Sequence, residues 1–91
     1  MDLYLTYAIR DWIYKVQSAF NKGEVKGEDS LKENATIDWQ TYYRIFDLIE
    51  FNQSEDGFTC KIKLKPFLDT KERIVAFDKN VSAANYRLNE N

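Results

Sequence analysis

The sequence predicts an α+β fold: one amphipathic helix packed on an antiparallel β-meander of three strands, with room for a fourth. Three observations carry this. Apolar residues recur at spacings of three and four over residues 2–21. They alternate with polar residues, lysine above all, at a spacing of two over residues 58–65. Two polar clusters, Ser54-Glu55-Asp56-Gly57 and Asp69-Thr70-Lys71-Glu72, divide the second half into hairpin-length pieces. A chain of 91 residues fits a single domain, 1–91. Its apolar share of 44%, with six Phe, six Tyr and two Trp, is enough to fill a core.

The first helix is expected over residues 2–21. Leu5, Ile9, Trp12, Ile13, Val16 and Phe20 fall on one helical face. Asp2 suits the start, where a carboxylate meets free backbone N–H groups. Gly23 suits a stop just beyond Asn21 and Lys22. Residues 22–36 are polar and charged and read as a loop with one helical turn around Ser30 to Glu33. A short helix over 38–44 follows, capped by Asp38 and carrying Trp39, Tyr42 and Tyr43. The period then changes to two, and strands are expected at 44–53, 58–68 and 73–79. The tail, 80–91, has weak signals; Ala83 to Leu88 suit a short strand or a helical turn.

Four-residue loops in both hairpins set a trial register. Gln53 then faces Phe58, Phe51 faces Cys60, Glu50 faces Lys61 and Ile49 faces Ile62. In the second hairpin Leu64 faces Phe77, Pro66 faces Val75 and Lys63 faces Asp78. Apolar residues meet on one face and lysines meet acids on the other, each such pair adding a few tenths of a kcal/mol.

That register leaves Phe46, Leu48, Phe67, Ile74 and Ala76 on the face away from the first helix. The short helix at Trp39 or the tail with Tyr86 and Leu88 can cover them. Otherwise they form a partner surface, because large exposed apolar patches mark interaction sites. The first helix raises the same alternative. Opposite its apolar face lie Tyr4, Tyr7, Asp11 and Tyr14, with Leu3 beside them. Tyrosine joins an apolar ring to a polar tip and is enriched at binding hot spots. Either other parts of the chain cover this face or another protein does.

Several chemistries lack their residues. There is no histidine, hence neither the commonest general base nor the commonest zinc ligand. Gly23 and Gly27 lack the lysine and hydroxyl spacing of a phosphate-binding loop. Glu24, Glu28, Asp29 and Glu33 lack the alternation of a calcium loop. The single cysteine, Cys60, faces inward in the trial register as a small core residue and leaves no internal disulfide, which fits a reducing compartment. Neither a secretion signal nor a membrane span of about 20 apolar residues is evident. Catalysis, cofactors and metals are therefore not expected, and the expected location is cytoplasmic.

Net charge is −2, split unevenly: residues 1–57 hold 6 basic and 11 acidic groups, residues 58–91 hold 7 and 4. Lys61, Lys63 and Lys65, near Phe46 and Phe67, are the best candidates for a single-stranded nucleic-acid platform. Acidic partners in the trial register offset two of the three, so direct nucleic-acid binding is the weaker alternative. The usage is rich in Lys, Asn, Ile, Phe and Tyr and poor in Ala, Gly and Pro, as in AT-rich bacterial and phage genomes. The function expected is that of a small non-enzymatic protein-binding domain. It fits an inhibitor or accessory protein of phage or mobile-element type that blocks a larger host enzyme, one that processes nucleic acid for example. A self-associating homo-oligomeric module is the alternative. The partner-binding residues would be Tyr4, Tyr7, Asp11, Tyr14, Phe46, Leu48, Phe67 and Ile74.

Overall fold

Alternation of buried and exposed residues and a stripe of apolar side chains build an α+β fold. The computed structural model describes residues 3–65, 71–83 and 87–90, with side chains described from residue 6 and not for 87–90. The elements are helices α1 (Leu3–Asn21), α2 (Glu28–Glu33) and α3 (Trp39–Tyr42), and strands β1 (Phe46–Gln53), β2 (Gly57–Leu64), β3 (Glu72–Asp78) and β4 (Arg87–Glu90). The strands form one antiparallel sheet in the order β1-β2-β3-β4. Among the described residues no helix is long and apolar enough to cross a membrane.

The described part of the apolar stripe of α1 is buried as its spacing predicts: Ile9, Trp12, Ile13 and Val16 are fully covered and Phe20 packs beside them, while the side chain of Leu5 lies outside the described residues. The stripe meets the sheet through rings. Trp12 lies 5.2 Å from Phe46 and 5.9 Å from Phe77, and Phe20 lies 4.9 Å from Phe58. Each edge-to-face pair contributes roughly 0.5–1.5 kcal/mol beyond the area it buries. Gly23 ends α1 with φ +77, while its N–H and that of Glu24 donate to the carbonyls of Phe20 and Ala19. The expected cap at Asp2 lies outside the described residues. Gln17, one turn above the stop, is also buried; its amide donates to the carbonyl of Asp78 and to Asn21 Oδ1, both at 3.0 Å.

The loop after α1 is more ordered than its composition suggests. Val25, Leu31 and Ile37 are buried in the core, and α2 occupies six of its residues. A short polar segment still folds back when three apolar residues anchor it.

The first hairpin keeps half of the expected register and departs from the rest. Gln53, Phe51 and Glu50 face Phe58, Cys60 and Lys61 as expected, but Leu48 faces Ile62. A bulge between Leu48 and Glu50 inserts Ile49 as an extra residue and reverses the alternation beyond it. Phe46 therefore turns inward opposite Leu64 and is fully buried, Leu48 packs against the core, and Ile49 is left exposed. The second hairpin pairs Phe58 with Phe77, Cys60 with Val75 and Gly57 with Asp78, in place of Leu64–Phe77, Pro66–Val75 and Lys63–Asp78. The ladder has moved by six residues because β2 ends at Leu64. An even shift preserves the face, so Val75 and Phe77 point to the core as predicted. Gly57 is required here by proximity: a Cβ would lie 2.0 Å from the Phe77 carbonyl oxygen. The weak tail signal resolves into β4 at its C-terminal end.

Candidate functional site

A single row of side chains on α1 stands out of the surface. Tyr7 is 62% exposed and Tyr14 is 54% exposed. They lie seven residues, or about 10 Å, apart along one face. Asp11 sits between them. The side chains of Tyr4 and Leu3, expected to extend the row, lie outside the described residues.

The row is fixed to the body of the protein through Asp11. The Tyr42 hydroxyl of α3 donates to Asp11 Oδ2, and Lys15 Nζ is 3.3 Å from the same oxygen. Lys15 also stands 5.2 Å from the centre of the Tyr42 ring. The Tyr42 hydroxyl holds the Asp11 carboxyl below its ordinary pKa, partial burial opposes this, and Lys15 adds to the lowering. Burial, and next Asp11, pushes the Tyr42 hydroxyl up. Asp11 keeps 56% of its side chain exposed. The Asp11 side chain thus stays accessible to solvent beside the two tyrosines even with Tyr42 and Lys15 held on Oδ2.

The expected sheet patch does not form. Phe46 belongs to the core and Leu48 packs against it, both because of the Ile49 bulge. Phe67 lies outside the described residues. Ile74 keeps its predicted face, half-buried opposite Lys61. That face is a ladder of charges. Lys61 Nζ stands 3.2 Å from Glu50 and 3.6 Å from Glu72, and Lys65 pairs with Asp47. Lys63 lies in register with Asp47 on one side and Glu72 on the other. The lysine row thus runs between two acidic strands, which removes most of its attraction for a phosphate backbone.

Two exposed apolar groups were not foreseen. Tyr43 is 44% and Ile49 47% exposed. Adjacent tyrosines on a one-turn helix cannot both face the core, and that signal was available for Tyr43. Its hydroxyl is 3.5 Å from Arg44 Nε, which lowers the Tyr43 pKa. The bulge has no comparable mark in the sequence.

Two open clefts flank α2, one of about 490 Å³ at its first turn and one of about 340 Å³ between its end and α3. Cys60 is buried on β2, an inner strand, and burial raises its thiol pKa, so it stays a thiol at neutral pH. Among the described residues no three acidic or cysteine side chains come together as a metal site. The arrangement suits recognition by aromatic and polar contact. No protein-family model, curated protein or solved structure matches the chain.

Proposed function

We propose that this chain is a non-enzymatic protein-binding domain that uses the Tyr7–Asp11–Tyr14 row of α1. The exposure of two tyrosines on one rigid helix carries the reading. An exposed ring with a hydroxyl tip gives large contact area at small entropy cost, since only two side-chain torsions are frozen. Helix α1 holds the rings in place because its opposite face is locked into the core. The composition supports the finer form of an accessory or inhibitory protein of phage or mobile-element type. Its target would be a larger host enzyme, such as one that processes nucleic acid. A lone buried cysteine supports a cytoplasmic setting.

Co-purification with mass spectrometry, run for the wild type and for Tyr7→Ala with Tyr14→Ala, tests this. The expected result is a stoichiometric partner with the wild type and its loss with the variant, at an unchanged Tm. Retention of the partner by the variant overturns the role of the row. So does a variant that unfolds, because the tyrosines would then be structural. If sedimentation shows a wild-type dimer that the variant lacks, the partner is a second copy and the inhibitor form falls.

A further inference from the structure

The 340 Å³ cleft between the end of α2 and the start of α3 has a chemistry of its own. Trp39 lines it. The indole is half-buried, meeting Trp12 at 5.9 Å and Phe46 at 5.4 Å on the inside, so the core fixes its position. Two carboxylates, Glu33 and Asp38, line the same cleft and are exposed. Neither has an ion-pair partner among the described residues. Asp38 stands at the start of α3, but its side chain caps no backbone N–H, contrary to the expectation from sequence; Oδ2 accepts a hydrogen bond from the Thr41 hydroxyl instead. The one basic lining residue, Lys32, has its ammonium 3.0 Å from Glu28 and so does not neutralise the pair. Around the cleft, residues 24–38 carry five acidic and two basic groups.

An aromatic ring with uncompensated carboxylates beside it is selective for one class of ligand. A cation gains from the indole quadrupole and from both acids, whereas an anion is repelled by the acids and a neutral apolar group gains only from the ring. We propose that this cleft receives a cationic side chain of a protein partner, above all the guanidinium of an arginine, at Trp39 between Glu33 and Asp38. Arginine is favoured over lysine because its planar, weakly hydrated head stacks on a ring while its N–H groups reach two carboxylates. The proposal rests on the protein-binding reading for the source of the cation, and it adds a second contact point on a different part of the surface.

Nitrogen-15 NMR tests it, with the Trp39 indole N–H as the reporter and that of the fully buried Trp12 as the internal control. The probes are an arginine-containing peptide, its citrulline counterpart and calcium chloride alone. The arginine peptide should give saturable shifts over residues 32–40. The citrulline peptide should bind roughly three- to five-fold more weakly or not at all. Glu33→Gln with Asp38→Asn should weaken the arginine peptide by roughly three- to ten-fold, and more at low salt than at high. Asparagine tolerates the left-handed backbone of residue 38, φ 53, so this variant keeps its fold. Absence of saturable shifts, equal binding of the citrulline peptide, or an unaffected double variant overturns the proposal, as does the same pattern from calcium alone. Tyr7→Ala with Tyr14→Ala should leave these shifts unchanged. If the titration fails while that variant still loses its partner, the cleft is refuted and the helix row stands.

Discussion

One hydroxyl group ties the outer face of α1 to the rest of the protein. Tyr42 is buried, yet its hydroxyl reaches an Asp11 carboxylate that water still contacts. Tyr42→Phe should therefore cost only about 1 kcal/mol, since solvent can replace the lost donor. Urea denaturation at pH 7 measures this. The pH dependence is more diagnostic. The folded pKa of Asp11 lies below its unfolded value of about 3.9, so its contribution is in place above that value and is lost as pH falls through the folded one. The wild type should lose more stability than Tyr42→Phe in that acid window, and parallel curves would refute the link. At the alkaline end the sign reverses. Tyr42 is raised, so its contribution is intact below about pH 10 and disappears as pH rises through the folded value. The sequence places Asp11 and Tyr14 on the outer face of α1 by angle alone. It could not give the partner of Asp11, because Tyr42 is 31 residues away and nothing local aims it there.

The bulge in β1 decides which of its side chains are structural. Phe46→Ala should cost about 3–5 kcal/mol, because a fully buried ring with three aromatic neighbours leaves a cavity behind. Ile49→Ala, one turn of the pleat away and 47% exposed, should cost under about 1 kcal/mol. Chemical denaturation of both variants checks the contrast, and similar losses would show that the bulge lies elsewhere. The same bulge explains what the sequence could reveal of the sheet. Periodicity of two identifies β2 and β3: buried and more exposed positions alternate from Phe58 to Leu64 in β2 and along the whole of β3. In β1 the alternation is broken once, and a pattern read straight through assigns Phe46 and Leu48 to the wrong face. Helix α1 was legible throughout, since its stripe has no interruption. The length of the second hairpin connection is misjudged when β2 is extended through Pro66 to Leu68, although a proline in an inner strand marks its end. β1 is also an edge of the sheet, and a bulge there twists the exposed backbone away from further pairing.

The core joins every described helix and the first three strands through apolar contacts. Cys60 lies in its middle, on a central strand, with no exposed surface. Its reaction with a thiol reagent at pH 8 should be at least about 10³-fold slower than in the denatured chain, and should speed up with urea in step with global unfolding. Rapid labelling of the native protein would show that β2 opens locally. The link between Gln17 and Asp78 spans the chain in a different sense. The apolar stripe of α1 leaves the ribosome before any strand that covers it. Synthesis must add the 56 residues from Lys22 to Phe77 before the last of its ring contacts exists. At about 5–20 residues per second this takes roughly 3–11 s. Until then Ile9, Trp12, Ile13 and Val16 lack part of the sheet that buries them, and the nascent helix is a natural client for a chaperone.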